Sequence, residues 1–165
     1  MRSTSDRRRR CHGGTLVEMA FALLPTIAFL MGIFDVSFAI FVKSTLQFAV
    51  RQGVRYAITS QTMAGLGQDN SIKTVIINDT MGLLNTMSPN QNGMQQINIT
   101  YYNPVTLLPV TGVGSNIGGN IVVVTASGLS WAWMFPLLRS ATPLQFSAAS
   151  ADVMEGSPIG GPPAR

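Results

Sequence analysis

Cysteine and histidine are nearly missing from this chain. Cys11 and His12 are the single examples of each, side by side near the start. A disulfide cannot close within the chain, and a Cys/His metal site has no ligand set to draw on. A Ser-His-Asp triad finds no histidine beyond position 12. Charge is scarce as well: Asp, Glu, Lys and Arg make up 11% of the 165 residues, against about 25% in ordinary soluble domains. The four acids after position 35 (Asp69, Asp79, Asp152 and Glu155) show no paired spacing of the kind general acid–base chemistry uses. We expect no enzyme, no metal and no cofactor.

The net charge of +4 invites a nucleic-acid reading, and its distribution removes it. Residues 1–13 hold Arg2, Arg7, Arg8, Arg9 and Arg10 against Asp6 alone. The remaining six basic and six acidic residues cancel, so no basic patch is left for a folded surface. No nucleic-acid partner is expected.

What the chain does have is a long apolar run. Met19 to Val42 reads MAFALLPTIAFLMGIFDVSFAIFV, 24 residues with one charge, Asp35. As a helix it measures about 36 Å, enough to cross a hydrocarbon core about 30 Å thick with some tilt. It is apolar on all faces, which a buried helix of this length in a small soluble domain does not need. The arginines before the run outweigh Lys43, Arg51 and Arg55, which are spread along the residues after it. The N-terminus is therefore expected in the cytoplasm and residues 44–165 across the membrane. Glu18 and Asp35 are 17 residues apart, about 26 Å along a helix, so both can lie near opposite interfaces. Asp35 is read either as reaching headgroup water or as a functional acid. Pro25 removes a backbone hydrogen bond and favours a kink.

Residues 9–21 read RRCHGGTLVEMAF. A basic stretch, a glycine, and a glutamate five residues later at the head of an apolar helix resemble a class III (type IV) prepilin signal. The resemblance implies cleavage after Gly13, a new N-terminus at Gly14, and Glu18 at the fifth mature position. The likeness then becomes more specific. Gly13 to Glu18, Leu24-Pro25, Gly32-Ile33-Phe34-Asp35, and Ala49-Val50-Arg51-Gln52-Gly53-Val54-Arg55-Tyr56-Ala57 resemble the TadE-like family of tight-adherence (Flp, type IVc) pilus systems of bacteria. The likeness covers about residues 13–60; Met19 stands where the family more often has Phe or Tyr. It implies a minor pilin or pseudopilin in the inner membrane, cut by a prepilin peptidase. Its implied partners are other pilin or pseudopilin subunits, the pilus assembly platform and membrane lipid.

Beyond Lys43 the pattern stays helical but turns amphipathic. Ala49, Gly53 and Ala57 recur every fourth residue and form a ridge of small side chains. That ridge packs either on the chain's own sheet or on a neighbouring subunit. Gly65-Leu66-Gly67 breaks the helix, and Asp69, Asn70 or Ser71 is expected to cap a second one running to about Leu84. Asn85 to Gln96 reads as loop. Strands are expected at Ile97 to Tyr102, Asn120 to Ser127 and Leu144 to Val153, the first two joined by a glycine-rich loop over Val110 to Gly119. The apolar segment Trp131 to Leu138 between strands either covers the sheet edge or lies at the outer membrane boundary, where tryptophan is enriched.

The expected architecture is α+β. It comprises a basic leader (1–13), a transmembrane helix (14–43) continuing into an amphipathic helix, a second short helix, and a three-stranded antiparallel meander within an extracytoplasmic domain (44–156). The proline- and glycine-rich tail (157–165) is expected to be disordered. Four other readings compete, and one of them, a membrane-anchored enzyme, lacks plausible catalytic residues. An ordinary signal peptide would be cut at Ser37-Phe38-Ala39, but its apolar run would be too long and carry Asp35 just before the cut. A double-glycine export leader fits Gly13-Gly14 but not the arginines. A signal-anchored envelope protein of a related secretion system, with no role in a fibre, stays open.

Overall fold

The computed structural model describes residues 12–135, 137, 139, 142–158 and 160–165. The arginine-rich leader, apart from its last two residues, lies outside them, as do Pro136 and Leu138 of the apolar segment. The chain divides into two compact units, one of residues 1–38 with 132–142, the other of residues 39–131 with 143–165. Helix α1, His12–Ile58, contributes to both.

In the first unit α1 is helical through Pro25. Thr26, next to the residue that lacks an N–H, turns its hydroxyl back to the Ala22 carbonyl at 2.7 Å. From Leu16 to Phe34 most of the large apolar side chains are exposed; Phe21 is 76% exposed and Leu24 69%. Water is a poor solvent for such a surface.

In the second unit α1 carries a buried stripe of Val42, Leu46, Ala49, Val50, Gly53, Val54 and Ala57, the three-and-four spacing of one helix face. Helix α2, Gln68–Asp79, adds Ile72 and Ile76, and the short helix α3, Leu83–Met87, adds Leu84. Where one helix to about Leu84 is expected, two form, because Met81 and Gly82 take left-handed backbone angles and end the first. The expected side-chain cap of α2 is also replaced. Its N-cap is Gly67, no side chain caps it, and the Gln68 N–H donates instead to the Ala164 carbonyl at 2.7 Å. Residues 89–91 and 93–96, expected as loop, form two 3-10 turns.

The sheet has four antiparallel strands rather than three, in the order β2-β1-β3-β4: β1 Ile97–Tyr102, β2 Pro109–Val110, β3 Ile121–Trp131 and β4 Leu144–Val153. The additional strand is two residues long and sits on the outer edge of β1, too short to leave a period-2 signal. β3 outruns its expected end at Ser127 by means of a bulge. Ala126 pairs with Ala148 and Leu129 with Phe146, so β3 spends one extra residue between those pairs. Without it Leu129 would face away from Val122, Val124 and Ala126; with it all four are buried. Gly128 takes φ of +82° there, and a side chain would meet the Gln96 amide. The glycine just past the expected strand end is thus the residue that lets the strand continue.

The tail, expected to be disordered, is held at its end. Asn116 Nδ2 donates to the Pro163 carbonyl at 2.8 Å. The Arg165 guanidinium donates through Nε and Nη2 to Asp69 Oδ2 at 2.9 and 2.7 Å, and its carbon lies 4.8 Å from the Tyr101 ring centre. Composition alone could not show that a seat for this arginine exists.

Candidate functional site

Gly14 and Glu18 lie on the first turns of α1, and both are exposed. A Cβ built on Gly14 would meet nothing within 4 Å, so no packing inside the chain calls for glycine there. Among the described residues the Glu18 side chain makes no hydrogen bond or ion pair. Gly13 also lies in α1.

Asp35 is placed differently. Its side chain is 1% exposed, so it is not an acid reaching into headgroup water. Its carboxylate accepts the Met134 N–H at 3.0 Å and the Phe135 N–H at 2.8 Å. Two successive backbone donors aimed at one carboxylate form a charge-assisted grip. One turn earlier on α1, Gly32 faces the Phe135 ring: an added Cβ would sit 3.6 Å from Phe135 Cδ2, an ordinary contact, so the ring's place does not require glycine. Within this unit the segment lies on α1.

Ala49, Gly53 and Ala57 are all buried. What meets Gly53 is α2 rather than the sheet. A Cβ at Gly53 would lie 2.6 Å from Ile76 Cδ1 and closer still to Ile76 Cγ1. The Ala57 carbonyl accepts the Gln68 side-chain amide at 3.1 Å. The ridge is used up within the chain and leaves no face for a neighbouring subunit. Arg51 and Arg55 are exposed.

One cluster has no counterpart in the sequence reading. Each oxygen of the Asp69 carboxylate has its own partner: Arg165 on Oδ2, and the Tyr101 hydroxyl, which donates to Oδ1 at 2.9 Å. Burial, and next the Asp69 charge, hold the Tyr101 proton well above the usual phenol range. The hydrogen bond to Asp69 likewise raises the Arg165 guanidinium. Behind them Asn116 hydrogen-bonds the buried Gln68 side chain. The partners are 32 and 96 residues apart, and no local spacing could have announced them. They tie the tail to α2 and β1, beside a cavity of about 550 Å³ whose lining includes Asp69, Val113 and Arg165. The residues singled out in the sequence are not gathered into one place: Gly13, Gly14 and Glu18 head α1, Asp35 grips a distant segment, and the small ridge is core.

Residues 13–55 match the family described as TadE-like protein. No curated protein and no solved structure matches the chain. The match opens at Gly13 and runs through Glu18, Asp35 and Gly53 to Arg55, so it takes in the residues that carried the resemblance except Tyr56 and Ala57. Over residues 13–55 of its 165, the chain is similar to the TadE-like family.

Proposed function

We propose that this is a single-pass inner-membrane protein of a tight-adherence pilus system, acting as a minor pilin or pseudopilin with a structural rather than catalytic role. The observation that carries the reading is that the TadE-like match falls on α1, the one helix among the described residues long and apolar enough to cross a membrane. The outward-facing apolar side chains of that helix support lipid as its surroundings. The arginines at its start support a cytoplasmic N-terminus. A prepilin peptidase cuts after Gly13. An open Gly14, with no internal reason to be glycine, supports a requirement set by an outside protein.

After cleavage Glu18 lies four residues from the new α-amino group. Its partner is that amine on a neighbouring pilin or pseudopilin subunit, as the family resemblance implies. Two charges leaving water each carry a desolvation cost of several kcal/mol, about offset only when the partner is correctly placed. The acid thus sets register. The test is Glu18→Ala in cells. We expect a protein that is still cut and inserted, with no pili on the surface; Glu18→Asp is impaired less. Normal pili in Glu18→Ala cells overturn the pairing, and an uncut mutant makes the glutamate a peptidase signal instead.

A further inference from the structure

Asp35 and the segment it grips have a consequence for where the protein meets the membrane. Asp35 stands 21 residues after Gly14, about 32 Å along the helix, against a hydrocarbon core of about 30 Å. With Gly14 at one edge of the core, Asp35 stands at the other. A carboxylate at that depth needs donors, and the Met134 and Phe135 N–H groups supply them.

The same contact fixes a short stretch of chain at that depth, and the composition of the stretch suits the level. Met134 is 49% exposed and Leu137 80%, while Trp133 and Phe135 are half-buried. The Trp133 indole N–H is already satisfied by the Thr142 carbonyl at 3.1 Å, so the ring can enter an apolar layer without an orphan donor. Arg139, exposed, follows the apolar residues, where its charge reaches phosphate while its stem stays in the apolar layer. Beside Phe135 an apolar cleft of about 340 Å³ opens, lined by Phe29, Gly32, Ile33, Val36 and Ser37.

We propose that Trp133, Met134 and Phe135, with Leu137 and Arg139, form an interfacial membrane anchor clamped to α1 by Asp35. Its partner is the boundary between acyl chains and headgroups in the leaflet opposite Gly14. The proposal rests on α1 spanning the membrane. Aromatic side chains at this boundary and an arginine beyond them match the lipid interface, and the clamp sets the depth to which α1 is inserted.

The test uses the full chain reconstituted in phosphatidylethanolamine–phosphatidylglycerol vesicles. The chain has two tryptophans, so Trp131→Phe leaves Trp133 as the only indole. Phospholipid brominated near the top of its acyl chains should quench most of the Trp133 emission, and iodide in the outer water little of it. Asp35→Leu, which has no acceptor, should halve the bromolipid quenching and raise that by iodide, while the protein still floats with the vesicles. Asp35→Asn keeps one acceptor oxygen and should fall between. Floating protein whose Trp133 answers to iodide rather than bromolipid overturns the anchor. Shielding from both quenchers also overturns it, since a protein neighbour then covers the segment. Unchanged quenching in Asp35→Leu overturns the clamp. Protein that does not float overturns the spanning reading, and the anchor falls with it.

Discussion

Gly53 offers the sharpest test of how α1 and α2 are joined. Replacing it with alanine adds one methyl where Ile76 already stands, 2.6 Å from Cδ1, with Ile72 Cγ2 at 3.5 Å. Carbon atoms rest about 3.5–4.0 Å apart, so Ile76 must withdraw by about 1 Å. It has little room, being 0% exposed like Ile72. Overpacking of this kind costs about 1–3 kcal/mol, while alanine in place of glycine improves a helix interior by about 1 kcal/mol. The clash outweighs the propensity, and Gly53→Ala should destabilise the domain by about 1 kcal/mol. Gly53→Val, bulkier and a poorer helix former, should cost more. Ile76→Ala alone should cost about 2–5 kcal/mol through the cavity it leaves. In the double variant the new methyl enters that cavity, so the pair should cost less than the sum by about 1 kcal/mol. Urea unfolding of the full chain in detergent, with hydrogen exchange across α2 as the local readout, measures the parent and all four variants. A more stable Gly53→Ala, with strictly additive effects in the double variant, would refute the packing.

Other tests read other parts of the chain. Gly13→Leu should accumulate uncut precursor, whereas the parent should start at Gly14; N-terminal sequencing or intact mass decides, and a parent that begins at Met1 refutes the processing. Asp69→Asn should weaken the grip on Arg165 by about 1 kcal/mol and speed proteolysis of the tail, and equal cleavage rates would count against the seat. Because the folded state raises the proton affinity of Tyr101, its contribution is whole below the ordinary phenol value of about 10. It is lost as pH rises from there through the higher folded value. Denaturant titrations should therefore show the parent losing stability above pH 10 more steeply than Tyr101→Phe; parallel slopes would contradict this. Gly128→Val, forced to a positive φ and against Gln96, should cost about 1–2 kcal/mol or more.

How much is legible along the chain alone depends on the range of each interaction. The sequence by itself determined whatever depends on neighbours along the chain. The apolar run, the buried stripe from Val42 to Ala57, three strands with period-2 burial and the match that opens at Gly13 all belong to that kind. Their signals repeat every two to four residues, because helix and strand geometry repeat at those intervals. Tertiary structure decided what depends on distant partners. Asp35 read either as an acid in headgroup water or as a functional acid until backbone N–H groups about a hundred positions away closed on it. Asp69 looked like one scattered carboxylate, and the tail like disorder, until Arg165 and Tyr101 were brought together on that one group. The strand expected to end at Ser127 continues past Gly128, and only the pairing of Leu129 with Phe146 shows the bulge that lets it. A charge or a glycine announces that something unusual is needed at its position, and only the folded chain names the group that meets the need.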